Sequence, residues 1–365
     1  MKVIPFAIVG TGWRAEFYLR VARWCPERFK VVGLVSRGNQ AVEAKFGVKT
    51  YRNLDELLQA AEPRFVVTSV PWDVNPSAVE ALVARGMPVL SETPPAPDLQ
   101  GMVDLYRTVS RLKGRVQVAE QVHLRPHHQA QIRLARGGRL GDVHEAFVSV
   151  AHGYHGISVM RRLLGIGFEN ATITGSRFVA PIVEGPGRGG PPRKKKIVTA
   201  PREFYGFHFG AKLGVVDFTD AQYFGWIRSE QLQVRGTHGE LVNDRLSYLK
   251  DFKTPIRYPL TRVTEGEGGD LNALRLVGYQ AGGHWVYKNL WGAPGMMDDE
   301  IAVAEALTRM DAYVRTGRDF YALAEGCQDH YLWLVALEAC KTGRRIETRT
   351  QIWGRGGRPG MRRAG

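Results

Sequence analysis

The sequence predicts an α/β protein in two parts, a doubly wound parallel sheet followed by an α+β domain whose sheet is mostly antiparallel. Three observations carry this. A short apolar strand runs into a glycine turn at Val3–Ala15, and strand-like and helix-like segments then alternate through about residue 122. Beyond His123 the alternation gives way to successive strands punctuated by glycines, with two long helices near the end.

The opening run Val3-Ile4-Pro5-Phe6-Ala7-Ile8-Val9 leads into Gly10-Thr11-Gly12-Trp13-Arg14-Ala15. Gly10 permits a tight turn out of the strand, and Gly12 lets the backbone approach a pyrophosphate. Ala15 lets the next helix pack closely, with its N-terminal amides facing the phosphates. This spacing predicts a dinucleotide-binding Rossmann domain over residues 1–122. Its later elements are strands at Phe29–Val35, Arg64–Val70, Pro88–Ser91 and Val116–Ala119, and helices at Asn39–Phe46, Leu54–Ala61, Ala78–Arg85 and Met102–Leu112. Ligands on such sheets bind outside the carboxyl ends of the strands. The stretches of interest are therefore Gly10–Arg14, Ser36-Arg37, Val70–Asn75, Ser91–Pro95 and Glu120–His123.

Ser36-Arg37 closes the second strand, where NAD-selective sites place an acidic residue for the ribose 2′-hydroxyl. With no carboxylate there, a hydrogen bond from Ser36 and a 2′-phosphate contact from Arg37 favour NADP over NAD. A solvent-facing arginine at a strand end is the plainer alternative.

Residues 123–353 read as a substrate-binding and oligomerisation domain. Helix Gln129–Arg136 and strand Val143–Val150 lead to His152-Gly153-Tyr154-His155 and helix Ile157–Leu164. Strands follow at Ala171–Val179, Lys212–Phe218, Gln231–Arg235 and Glu240–Leu246, with Gly185–Lys196 as a long Gly/Pro/Lys loop. Helices are expected at Asp298–Arg315 and Ala324–Lys341. Residues 354–365 read as a basic, disordered tail.

A net charge of +14 over 365 residues raises nucleic acid as a partner. The cations are scattered, however, apart from Arg193-Lys194-Lys195-Lys196 and the tail, and no aromatics are interleaved for base stacking. No nucleic-acid partner is expected. No run approaches the roughly 18 apolar residues of a membrane span, and the first glycine turn leaves no room for a secretory h-region. A cytoplasmic protein without a membrane partner is expected. Cys25, Cys327 and Cys340 lack C-x-x-C spacing and read as free thiols, and the histidines lack the convergent carboxylate of a metal site.

The order of pieces resembles the Gfo/Idh/MocA family, the glucose–fructose oxidoreductase and inositol dehydrogenase group, over residues 1 to about 350. Gly10–Ala15, Val70-Pro71-Trp72, Ser91-Glu92-Thr93-Pro94, and His155 with Arg161-Arg162-Leu163-Leu164-Gly165 carry the resemblance. It implies an N-terminal Rossmann domain, a C-terminal domain with a large, mostly antiparallel sheet, and a homodimer or homotetramer formed through that sheet. It also implies a sugar-like or polyol substrate. The cofactor contacts it suggests are Gly10, Thr11, Gly12, Trp13 and Arg14 on the first turn, and Ser36 and Arg37 after the second strand. Val70, Pro71, Trp72 and Asn75 would follow, then Glu92, Thr93 and Gln121. Two departures stand out. Thr93 replaces the family's substrate-facing lysine, and Ala151 occupies the place of an aspartate four residues before the catalytic histidine.

His155 is the leading acid/base residue, since an imidazole suits proton transfer at neutral pH. His152 and Tyr154 are candidates to replace the missing groups. If the chain is extended there, His152 and Tyr154 share a face; if the helix has begun, His152 and His155 are i,i+3 neighbours. His123, Asp329 and His330 are candidate substrate contacts. The expected activity is NAD(P)-dependent hydride transfer at a hydroxyl or keto carbon of a sugar or polyol. Two alternatives stay open: redox-neutral, NAD-dependent glycoside cleavage by oxidation and elimination, and a nucleotide-binding protein without catalysis.

Overall fold

The computed structural model describes residues 2–36, 40–266, 275–293 and 295–355. The first part alternates as β1 Ile4–Val9, α1 Trp13–Trp24, β2 Phe29–Val35, α2 Gln40–Phe46, β3 Thr50–Tyr51, α3 Leu54–Ala60, β4 Val66–Thr68, α4 Asn75–Ala84, β5 Val89–Ser91, α5 Leu99–Arg111 and β6 Val116–Val118. The strands are short, buried and parallel, in the order β3-β2-β1-β4-β5-β6. The order reverses between β1 and β4, which opens a crevice at their carboxyl ends. Local chemistry starts the helices where the sheet needs them. Asn53 accepts from the Glu56 amide at 2.9 Å to cap α3, and Asp98 accepts from the Gly101 amide at 2.8 Å to cap α5.

The second part runs α6 Pro126–Arg136, β7 Val143–Ser149, α7 Gly153–Leu164, β8 Thr172–Val183, β9 Ile197–Phe209, β10 Lys212–Phe218, β11 Gln231–Gly236, β12 Gly239–Val242, β13 Arg245–Leu249, β14 Pro255–Glu265, β15 Arg275–Ala281, β16 His284–Lys288, α8 Asp298–Thr316, α9 Leu323–Thr342 and β17 Ile346–Glu347. These strands form one sheet in the order β16-β15-β14-β13-β12-β11-β7-β10-β9-β8-β17. Every pairing is antiparallel except β7 with β10. Helices α6, α7 and α9 pack against it.

The two parts share their cores. Ile4, Phe6 and Ile8 of β1 belong to one buried cluster with Val148 of β7 and Ile157 of α7, while Tyr321 and Cys327 join the cluster around β5 and α5. The chain also returns to the first sheet late, where the Val118 amide donates to the Tyr321 carbonyl at 2.8 Å.

The fold is the expected one, and the differences lie in element bounds. The expected strand Glu240–Leu246 is two strands, β12 and β13, because Asn243 takes a positive φ of 50° and turns the chain. β8 continues to Val183 and pairs with β9 along its whole length. β9, β14, β15 and β16 were not anticipated. Helix α7 begins at Gly153, so His152 and His155 lie on one helical turn instead of alternating along a strand.

Candidate active site

The glycine turn has the shape a diphosphate requires. Gly10 has a φ of 104°, and a Cβ there would collide with the Ser69 carbonyl oxygen after β4 and lie 3.1 Å from Val70 Cγ1. Gly12 precedes α1 without capping it by a side chain, and beyond its chain neighbours nothing lies within 4 Å of its Cβ position. An uncapped helix N-terminus beside an open glycine fits an anion held by backbone amides. At the next strand end, Ser36 Oγ lies 3.4 Å from Thr11 Oγ1. Arg37 lies outside the described residues. Trp13 packs edge-on against Phe17, with ring centroids 5.0 Å apart, and the Arg188 guanidinium from the β8–β9 connection stacks 4.1 Å over its ring.

The exits of β4 and β5 are tied together from beneath. Asn75 donates to Ser91 Oγ at 3.0 Å and to the Pro95 carbonyl at 2.9 Å, and accepts from Thr68 Oγ1 at 2.6 Å. Its side chain is fully buried, so Asn75 shapes the Ser91–Pro95 loop from below. Pro71 accepts from the Val74 and Asn75 amides and starts α4. Glu92 Oε1 accepts from the Thr93 amide at 3.1 Å, while Glu92 Oε2 lies 3.9 Å from the Arg14 guanidinium. Arg14 Nη2, Glu92 Oε2, Gln121 Oε1, His123 Nδ1 and His330 Nδ1 are all buried without a hydrogen-bond partner. Buried polar atoms are seldom left so. Glu92 and Gln121 follow β5 and β6, and Arg14 lies in the first turn of α1, so these three stand at the carboxyl end of the parallel sheet, where a polar ligand could meet them.

His155, in the first turn of α7, places Nδ1 2.6 Å from Glu120 Oε2, at the exit of β6. The other Glu120 oxygen accepts from the Val122 amide at 2.9 Å, which fixes the carboxylate. Side-chain exposure is 12% for His155 and 2% for Glu120, so the pair is shielded from water. A carboxylate on Nδ1 holds that nitrogen protonated and turns Nε2 into the atom that exchanges a proton. The carboxylate beside His155 is that of Glu120, and none stands at Ala151. The sequence marks Glu120 only as part of the Glu120–His123 strand exit.

Aromatic rings close the site on the other side. Tyr154 lies among His155, Trp333, His330 and Trp72 at centroid distances of 4.4, 5.5, 5.7 and 6.2 Å. Gly153, with a φ of 46°, lets Trp333 lie against the start of α7; a Cβ would meet the indole at 2.6 Å. The Tyr154 hydroxyl donates to the Thr93 carbonyl at 3.3 Å, and burial pushes its pKa up, so it remains a neutral donor. His152 bonds through Nδ1 to the Tyr223 hydroxyl, and burial pushes its pKa down to about 3.

The expected substrate contacts divide. His330 Nε2 donates to the Pro97 carbonyl at 3.0 Å, and the ring sits in the aromatic wall. His123 stacks on Tyr321 at 4.7 Å behind His155. Asp329 is a correction: its carboxylate takes Arg161 Nη1 at 2.6 Å and the Tyr321 hydroxyl, inside the protein. A carboxylate beside a buried arginine is held there by charge and does not reach a ligand. Trp333 and Tyr223 were missed; Trp333 lies one helical turn beyond His330, a spacing that would have signalled it.

Residues 4–120 match the family model described as an oxidoreductase family with an NAD-binding Rossmann fold. An uncharacterized oxidoreductase of Schizosaccharomyces pombe is 25% identical over 151 residues, covering 40% of this chain and 41% of that protein. The chain thus spans about two fifths of that relative's length. Among solved structures, an oxidoreductase from Agrobacterium radiobacter in complex with NAD+, L-tartaric acid and magnesium superposes with a TM-score of 0.68 at 15% identity, covering 94% of this chain and 98% of that one. The WlbA dehydrogenase from Bordetella pertussis, in complex with NADH and UDP-GlcNAcA, gives a TM-score of 0.62 at 13% identity, covering 96% of this chain and all of that one, 100%. At these identities the likeness is one of fold.

Proposed function

We propose, from the premise that residues 4–120 belong to the Gfo/Idh/MocA oxidoreductase family, that this chain transfers hydride between a nicotinamide dinucleotide and a hydroxyl- or keto-bearing carbon of a sugar or polyol. The buried Glu120–His155 pair carries the reading. It stands at the carboxyl end of the parallel sheet, the same end as the Gly10–Gly12 turn, and the carboxylates of both Glu92 and Glu120 act on Arg14.

Gly10, Gly12 and the first amides of α1 would hold the diphosphate, with Thr11 and Ser36 at a ribose and Glu92, Gln121 and Trp72 toward the nicotinamide. When bound, the dinucleotide supplies the uptake or return of hydride. The chain's own residues do the rest. Glu120 keeps the proton of His155 on Nδ1, and Nε2 takes the substrate hydroxyl proton or returns it. In the region where the family's lysine is replaced by Thr93, the neutral Tyr154 hydroxyl would turn from the Thr93 carbonyl to donate to a substrate oxygen. The aromatic wall excludes water from the reacting carbon.

We further propose NADP(H) in preference to NAD(H), because no carboxylate ends β2 and Ser36-Arg37 stands there, and a homodimer or homotetramer, which sedimentation reads directly. The experiment is a panel of free sugars, polyols and aryl glycosides with each nucleotide. Net change in reduced nucleotide with a free sugar or polyol is the expected result. Release of an aglycone without net change would replace it with oxidation–elimination, and nucleotide binding without turnover would leave a binding protein. A lower dissociation constant for NAD than for NADP would overturn the cofactor preference.

A further inference from the structure

A cavity of about 930 Å³ opens between the β8–β9 hairpin and the chain around residues 219–227. This lies within the size range of small-molecule sites, roughly 300–1,000 Å³. His152 and Gly153 belong to its lining. The His152 ring centroid is 5.1 Å from that of His155, so the cavity begins one side chain away from the proposed acid/base residue.

The walls decide what the cavity holds. Arg193, Lys194 and Lys195 line it, but so do Glu184, Glu203 and Asp220. Three cations against three carboxylates select no sign of charge. Ile182, Val198 and Pro201 form one wall, and Trp226 and Ile227 another. Trp226 is 75% exposed and Ile227 61%, large apolar surface turned toward solvent at the rim. Such surface is stable when an apolar body covers it.

We infer that the substrate carries, beyond the hydroxylated carbon presented to His155, an apolar group of aromatic-ring size or larger that occupies this cavity. The substrate is thus a hydroxylated ring or chain bearing an aryl or comparably bulky apolar substituent. The inference rests on the proposed function for the identity of the reacting end, and on the cavity alone for the apolar end.

The test compares methyl and 2-naphthyl glycosides of the same sugars, with the neutral fluorophore N-phenyl-1-naphthylamine as a direct probe of the cavity. The naphthyl glycoside is expected to exceed its methyl partner in kcat/KM by roughly tenfold or more. Ala200→Trp fills the cavity and Trp226→Ala removes a wall; each is expected to bring that ratio toward one and to weaken probe binding. Trp226 is too exposed for its truncation to endanger folding. Equal kcat/KM for the two glycosides, or a ratio that neither variant moves, overturns the inference and leaves the proposed function standing. Turnover of neither glycoside nor of any free sugar or polyol of the panel, with probe binding that both variants weaken, sinks the proposed function and upholds the apolar site. Probe binding indifferent to both variants overturns the site whatever the turnover. Dimerisation lost in Trp226→Ala, with probe binding unchanged, assigns these walls to a second copy and overturns it too.

Discussion

Three ring-bearing candidates stand at the start of α7, and their surroundings separate them. The Tyr154 phenol is pushed up in pKa by burial and by the nearby carboxylates of Glu92 and Glu120, so it cannot act as an anion. The His152 imidazole is pushed down to about 3, by burial first and by His155 next, so it stays neutral at pH 7 and does not serve as the acid. His155 alone has a carboxylate on Nδ1. His155→Ala is expected to lower kcat by roughly 10²–10⁴-fold, the usual share of a positioned acid/base group. Glu120 acts through His155 as a positioning residue. Glu120→Gln keeps an acceptor on Nδ1 but removes the charge that steadies an imidazolium. It should lower kcat by about 10–10³-fold while KM moves less than about threefold. Glu120→Asp should recover part of the loss. Steady-state kinetics with full kcat in Glu120→Gln would remove this role.

Helix α7 holds His155 only if its own position is held, and Arg161 holds it. From the far half of α7, Arg161 reaches Asp329 at 2.6 Å and Glu325 at 2.8 Å on α9, with its side chain 2% exposed. Removing one partner of a buried pair strands the other charge. Arg161→Ala should therefore cost about 3–5 kcal/mol of stability, read as a fall in urea midpoint with the m-value unchanged. A loss below about 1 kcal/mol would show that water or a rearranged Glu325 replaces the arginine. This same pair shows how far the sequence could be read. The βα alternation and the glycine turn are local signals, and they located β1, β2, β4, β5, β6, α7 and the strand exits, but not the two-residue β3. The partners of Arg161 and His155 are not local: Asp329 lies on another helix, and Glu120 follows β6 of the first sheet. No periodicity joins residues brought together by tertiary packing. β9 and β14 were illegible for a different reason. β14 carries Pro255 and Pro259, residues that argue against a strand within a sheet. The outer reaches of β8 and β9 lie in a largely exposed hairpin, where no buried face imposes a clean alternation of apolar residues.

At the scale of the whole molecule, the site is built where the two sheets share a core, and that burial leaves a mark on stability. His152, His123 and His330 all have pKa values lowered, in each case first by burial. Below the ordinary histidine pKa of 6.5 the unfolded chain binds protons on these rings that the folded chain resists. Stability therefore rises with pH up to 6.5, and the His152 contribution is lost progressively as pH falls from 6.5 toward about 3. Asp329 works against them: burial raises it from 3.8 to about 6 despite the pull of Arg161, so between those values the folded chain binds the extra proton. Three groups of one sign against one of the other leave a net acid destabilisation. Urea midpoints should thus be lower at pH 5 than at pH 7.5, with the decline setting in around the ordinary histidine pKa of 6.5. His152→Gln removes one titrating ring from the cluster and should shrink the difference between the two pH values. A midpoint that stays constant from pH 7.5 to 5, or a difference unmoved in His152→Gln, would mean that the aromatic wall is wet in solution and that these rings titrate as free ones. The same result would count against the water-excluding site on which the role of His155 depends.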